Sequence, residues 1–457
     1  MAGPPALRAI TPNITSADYH EGWAYQGGAF QLGFAIYWSH SEFTVGHPGG
    51  PPDAEVLDAR REALDALDAR YRHRPHVGHE LLDRRVPWFA EWLAHADRDA
   101  HWQAVAPRDH YEQITAPALN IGGWYDVFVN GTIENYVGMR ARGGSPEARA
   151  GQRLLVGPWS HRTIQSTGDF ADRRYGVRAT TGSSDLAGEH TRWFDRWLSD
   201  ADAGSAGTEA PVRVFVMGRD EWRDASDWPL PEAQVRPLYL HSGGSANTRS
   251  GNGALSFEAP AAAEPPDTYV YDPLDPVPSM GGPTLTQVGG EFGWNAGPYD
   301  QRDVETRPDV LVYTSEPLEA PLEVIGPIDL ILYASSSALD TDFTAKLVDV
   351  WPNGRAENLT DGILRARYRE SLAEARLLEP GRIEEFRIYV GPTANTFLRG
   401  HRIRLEVSSS NFPRFDPNPN TGRPTASEPH EYLRLATNRV FHERGYPSHL
   451  SLPVIES

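Results

Sequence analysis

The amino-acid sequence predicts a chain in two parts, an α/β part carrying a helical section and an all-β part that reads as a β-sandwich of jelly-roll type. Three observations carry this. Apolar residues recur at helical spacing over residues 15–115, and strand-like and helix-like runs alternate over 116–200. Beyond residue 206, short runs rich in β-formers follow one another between Gly, Pro and Asn turns.

In the helical section, "DAEVLDARREALDALDARY" predicts Leu57, Leu64, Leu67 and Tyr71 on one helical face. "VPWFAEWLAHA" places Pro87 in a first helical turn and makes Trp88, Phe89, Trp92 and Leu93 an apolar stripe facing a core. The alternating section reads as strand (118–122), helix (131–142), strand (153–156) and helix (186–198), the rhythm of a parallel sheet. "SDADAGSAGTEAPV", small and polar, reads as a linker. After it come "RVFVMG", "PLYLH", "TYVYD", "VLVYTS", "IDLILYAS", "DFTAKLVDVW", "FRIYVG" and "IRLEVSS". Phe386, Ile388 and Val390 alternate with Arg387 and Tyr389, and Ile403, Leu405 and Val407 repeat the pattern, as strands with one buried and one solvated face require. The Gly/Ser/Asn stretch at 242–254 is a loop.

A length of 457 residues predicts two or three domains, and 39% apolar residues with 13 Trp suffice for packed cores. The net charge of −19 argues against a nucleic-acid partner, because phosphates would meet no neutralising surface. Lys346 is the only lysine, which reads as a compositional bias toward Arg. With no cysteine, disulfides, thiolate metal sites and Cys nucleophiles are excluded together. "MAGPPALRAI" has no basic-then-apolar leader, and no apolar stretch approaches the roughly 18 residues that span a bilayer. The expectation is a cytoplasmic protein without a membrane partner.

Two apolar runs stop at a polar side chain: "IGGWYDVF" at Asp126 and "LLVGPWSH" at His161. Singly, Asp126 reads as a helix cap and His161 as a loop histidine. Together they sit at the ends of successive parallel strands, where side chains meet on one rim. A carboxylate there accepts a hydrogen bond from imidazole Nδ1 and leaves the other ring nitrogen free as a general base. An Asp followed by a His is also the tail of a Ser…Asp…His order. The serine is missing: no G-x-S-x-G occurs, and the serines upstream of Asp126 (Ser16, Ser39 and Ser41) lack flanking glycines and a preceding strand. "HRPHVGHE" (His73, His76, His79, Glu80) reads as a turn rather than a zinc site, given Pro75 and Gly78. "DPNPNTG" (Asp416, Asn418, Asn420) imitates a calcium loop, but its Gly422 is one position late and no Glu follows at the twelfth position.

The chain resembles the cocaine-esterase/X-Pro dipeptidyl-peptidase family of α/β-hydrolases. "GGWYDVF", "LLVGPWSH", "VRVFVMGRDEWRDASDWPLP", "YVYDPLDPVPSMGG", "DTDFTAKLVDVWPNGRAENLTDGILRARYRE" and "VSSSNFPRFDPNPNTG" carry the resemblance. It implies a remnant of α/β-hydrolase core at 1–14, a helical cap at 15–115, the C-terminal part of the core at 116–205 and a jelly roll at 206–457. By position Asp126 matches the family's triad acid and His161 its base. Trp23, Trp38 and Phe128 are candidates for an aromatic acyl pocket, with ordinary cap core as the competing reading. No cofactor or metal is implied. The substrate would be a small ester, an amide (a β-lactam side chain among them) or an X-Pro peptide. "GPPALRAITPNITSADYHEGW" matches the segment just after the nucleophile's helix, so an upstream block of about a hundred residues has no counterpart. The expectation is then a strand ending at Asp126 with unpaired backbone and an uncovered apolar face, in need of a separate N-terminal fragment. A homo-oligomer is also compatible with the sequence. The rival reading is a non-catalytic binding or assembly module built on the jelly roll.

Overall fold

The computed structural model describes residues 3–43, 54–162, 167–199, 209–286 and 296–456. Most of the predicted linker, residues 200–208, lies outside them.

The first element is a tight hairpin, β1 (Tyr25–Gln26) and β2 (Ala29–Phe30), closed by Gly27 and Gly28 at positive φ. Gly27 has a packing reason as well: a Cβ there would lie 2.0 Å from the carbonyl oxygen of Ile363. Among the described residues six α-helices follow: α1 (Leu32–Trp38), α2 (Ala54–Asp65), α3 (Leu67–Arg72), α4 (Glu80–Arg85), α5 (Pro87–Ala94) and α6 (Ala100–Gln103). Pro87 opens α5, and Phe89, Trp92 and Leu93 are buried in a cluster with Leu67, Tyr71, Leu82 and Trp102. The expected face of Leu57, Leu64, Leu67 and Tyr71 is corrected in its first turn. The helix breaks at Ala66 (φ −107°), so α2 turns Val56 and Ala63 inward and leaves Leu57 40% exposed.

The α/β region is a four-stranded sheet in the order β3 (Leu119–Tyr125), β4 (Arg153–Ser160), β5 (Val212–Val216), β6 (Glu221–Ala225). The first three strands are parallel and β6 is antiparallel to β5. Helices α7 (Val129–Arg142) and α8 (Pro146–Ala150) join β3 to β4, and α9 (Leu186–Leu198) lies between β4 and β5. "RVFVMG" therefore extends the α/β sheet, although it lies in the segment expected to be all-β.

The expected bare edge on β3 is also corrected. Residues 10–14 run parallel to it: Ile10 and Ile14 donate to Pro117 and Ile121, while Leu119 and Ile121 donate back to Ile10 and Pro12. Nor is either face of β3 uncovered. Leu119 and Ile121 pack with Trp193 of α9, and Trp124 and Tyr125 share a cluster with Ile133 and Tyr136 of α7. Every residue of β3 and β4 is buried.

The remaining strands form one large, almost wholly antiparallel sheet of eleven. Its strands are β7 (Ala233–His241), β8 (Gly253–Ser256), β9 (Asp267–Tyr271), β10 (Leu311–Ser315), β11 (Leu322–Ser336) and β12 (Asp342–Val350). They continue with β13 (Ala356–Arg365), β14 (Glu384–Phe397), β15 (Arg402–Ser408), β16 (Ala436–Phe441) and β17 (His449–Ile455). The order runs β13-β12-β15-β10-β8-β7-β17-β11-β16-β9, with β14 also on β11; among the described strands of this sheet β8 and β10 form the one parallel pair. The predicted alternation holds in β14, where Phe386, Ile388 and Val390 are buried while Arg387 and Tyr389 face out, but is corrected in β15, where Glu406 between Leu405 and Val407 is buried and pairs with Lys346. The calcium-loop imitation is a clamp. Asp416 accepts the Phe30 N–H and pairs with Arg365, and Asn418 donates to Asp340 and Asp342.

Within the α/β sheet Trp124 of β3 donates to the Phe215 carbonyl of β5 (2.7 Å), and just beyond β5 Met217 exchanges backbone bonds with β14, which joins this sheet to the β region. No helix among the described residues is long and apolar enough to cross a membrane.

Candidate active site

Strand register brings Asp126 and His161 together. β3 and β4 pair residue by residue until an irregularity after Gly123, beyond which Tyr125 lies opposite Ser160. The next residue on each strand is Asp126 on one side and His161 on the other. Gly123 is required at the irregularity, since a Cβ there would lie 2.3 Å from the Trp159 carbonyl oxygen. Trp159 is itself held by an indole N–H bond to the Ala179 carbonyl (2.7 Å), which fixes the end of β4.

Asp126 is fully buried, and its two oxygens have separate tasks. Oδ1 accepts the backbone N–H of Phe128 at 2.8 Å, capping the turn into α7. Oδ2 meets His161 Nδ1, also at 2.8 Å. The capping and triad readings of Asp126 therefore describe different oxygens of one carboxylate. Because the carboxylate only accepts, Nδ1 carries the proton, and in the neutral imidazole Nε2 presents its lone pair. The His161 side chain is 26% exposed, so Nε2 remains reachable. Among the described residues no side chain hydrogen-bonds to Nε2.

The three aromatic candidates converge next to this pair. Trp23 stacks on Phe128 (centroids 4.6 Å), Trp38 meets Trp23 edge-on (5.3 Å), and Phe128 stands perpendicular to the His161 ring (5.5 Å). The sequence reading missed Phe34 and Leu285, which join the same cluster. Phe34 stacks on Trp38 (5.4 Å) and is edge-on to Trp23 and Phe128. Its signal was the i, i+4 spacing to Trp38 on α1; Leu285, from a distant loop, had none.

The upstream serines are engaged elsewhere or set apart. Ser16 Oγ donates to the Asp18 carbonyl (2.6 Å) and Ser41 Oγ to that of Trp38 (3.4 Å), while Ser39 is fully buried. The predicted turn at 73–79 buries His76 and His79, with the His73 and His79 rings 5.2 Å apart.

A parallel sheet covered on both faces, with a carboxylate–imidazole pair where two neighbouring strands end, defines an α/β-hydrolase region. Two family models match: the X-Pro dipeptidyl-peptidase (S15 family) over residues 1–163 and the X-Pro dipeptidyl-peptidase C-terminal non-catalytic domain over 205–451. Cocaine esterase of Rhodococcus sp. is 42% identical over 462 aligned positions, covering 100% of this chain and 78% of that one. The chain belongs to the CocE/NonD, X-Pro dipeptidyl-peptidase (S15) family of serine hydrolases. Among solved structures, an aminopeptidase from a marine-sediment Thaumarchaeota archaeon matches with TM-score 0.79 and 30% identity, covering 99% of this chain and 73% of that one. An α-amino acid ester hydrolase matches with TM-score 0.75 and 27% identity, covering 98% of this chain and 73% of that one.

Proposed function

We propose that this chain is the larger part of a serine hydrolase cleaving acyl esters or amides, with His161 as general base and Asp126 as its orienter. The observation that carries this is the 2.8 Å Asp126–His161 contact, placed by register at two adjacent strand ends. The nucleophilic serine comes from outside these 457 residues, consistent with the lack of any G-x-S-x-G in the sequence. When that serine approaches, His161 Nε2 takes its proton as the acyl-enzyme forms. The buried Asp126 carboxylate then stabilises the resulting imidazolium, and the same nitrogen returns the proton to the leaving group. Trp23, Trp38, Phe128 and Phe34 offer an apolar, flat-walled surface beside the imidazole, suited to the acyl side of the substrate. We retain the division at 14/15, 115/116 and 205/206, and the jelly-roll reading of the β region, as parts of this proposal.

The test is complementation. The chain alone is expected neither to label with a fluorophosphonate nor to cleave p-nitrophenyl acetate. Mixing it with the portion of a cocaine-esterase relative that it does not match should restore turnover, and His161→Ala should abolish it. Strong labelling of the chain alone would overturn the assignment of the nucleophile. The second reading is a non-catalytic binding or assembly module built on the jelly roll; turnover that never appears under complementation would select it.

A further inference from the structure

Away from the Asp126–His161 pair, a cleft of about 590 Å³ opens between α7 and the β region. Ile133 and Val137 of α7 form one wall; Trp228 and Tyr389 form the other. None of Asp126, His161, Trp23, Trp38 or Phe128 lines it. Val137 and Tyr389 are 39% and 38% exposed, so apolar surface there faces solvent.

The cleft also holds acceptors short of donors. Both oxygens of Glu21 share one backbone donor, the Gly27 N–H, at 3.1 Å each. Among the described residues no arginine, lysine or histidine forms an ion pair with Glu21. The two cations on the cleft wall are already committed. Arg108 pairs with Asp18 (3.3 Å) and Glu134 (3.4 Å), and Arg142 pairs with Glu112 (3.3 Å) while lying over the Tyr111 ring. Asn130 Oδ1, in the same cleft, is buried without a donor. Burial pushes the Glu21 carboxyl up to about 7, against the lowering by its Gly27 hydrogen bond and by Arg108.

An anion is disfavoured here by Glu21 and Glu134, and a neutral apolar molecule would leave Glu21 unmatched. The complementary ligand has an apolar body and an ammonium head. The head supplies N–H donors to Glu21 and Asn130, and the body covers Ile133, Val137 and Trp228. We propose that this cleft is a binding site for a primary arylalkyl- or alkylammonium ion, with Glu21 as its counter-ion, separate from the Asp126–His161 site.

Calorimetric titration of the full chain at pH 8 with 2-phenylethylammonium, 2-phenylethanol and phenylacetate tests it. The ammonium should bind saturably at one site, at least tenfold tighter than the alcohol or the carboxylate. Glu21→Gln keeps an acceptor for Gly27 and should weaken ammonium binding at least tenfold without changing the melting temperature appreciably. Trp228→Ala should weaken the ammonium and the alcohol alike, and His161→Ala should change nothing. Equal affinity for ammonium and alcohol, no binding of the ammonium, or no effect of Glu21→Gln overturns the proposal. Loss of binding in His161→Ala would move the ligand to the other site and overturn it too. Because the readout is binding rather than turnover, its failure is distinct from failure of the hydrolase reading.

Discussion

At the residue scale, the division of labour within Asp126 makes a sharp prediction. In the complemented enzyme, Asp126→Asn can keep the Phe128 N–H on its carbonyl oxygen, but its amide group then faces Nδ1 as a donor and enforces the wrong tautomer. A fall in kcat of about ten-thousand-fold with little change in KM is expected for ester hydrolysis. Phe34 is packed on three aromatic neighbours and 1% exposed. Phe34→Ala should cost about 3–5 kcal/mol in urea unfolding, from lost contacts plus the cavity left behind. Asp126 and His161 were legible because each is a polar stop on an apolar run, a local pattern. Phe34 was not, because an aromatic residue one turn from Trp38 reads the same whether it lines a pocket or a core.

At the element scale, the cap couples its packing to pH. Burial lowers His20 to about 4, His40 to about 3, His79 to about 4, and His76 well below its ordinary value. For a histidine with a depressed folded pKa, the unfolded chain binds more protons between that value and about 6.5. The contribution is thus whole above pH 6.5 and is lost as pH falls toward 4. Glu21 and Glu406, raised to about 7 by burial, and Asp342, raised to about 6, act in the opposite sense, and of these only Glu21 belongs to the cap. His76→Phe should therefore raise the melting temperature at pH 5 relative to its value at pH 7.5, compared with the unsubstituted chain; an unchanged or opposite difference would contradict the account. The strands of the β region were legible from β-former runs between turn residues, and in the first half of β14 also from alternation, because there one face is wet; β12 is buried on both faces and does not alternate. The 10–14 segment was not, because Pro12 and the positive φ of Ile14 (43°) break the pattern of a strand that pairs only through part of its backbone.

At the scale of the whole molecule, the α/β sheet and the β region share a backbone bridge at the end of strand β5 rather than meeting only at a linker. β5 hydrogen-bonds to β4 on one side, and Met217 just beyond it bonds to β14. A fragment of residues 206–457 should therefore expose the edge of β5 that β4 normally covers, and associate in size-exclusion chromatography. A fragment of 226–457, without β5 and β6, should remain monomeric under the same conditions; the reverse order would contradict this description.

The sequence by itself determined what local physics encodes: the two textures, the helical stripe around Trp92, the alternation in β14, and Asp126 and His161 at two strand ends. Periodicity and polar stops depend only on near neighbours, so they survive without coordinates. Tertiary structure decided what depends on pairing between distant segments. Residues 10–14 fill the edge of β3, β5 joins the α/β sheet, and the 16–23 segment meets α7 beside Glu21, which has no ion-pair partner among the described residues. Hydrogen-bond partners and burial at such junctions are set by which remote backbone comes within about 3 Å, and sequence spacing does not record that.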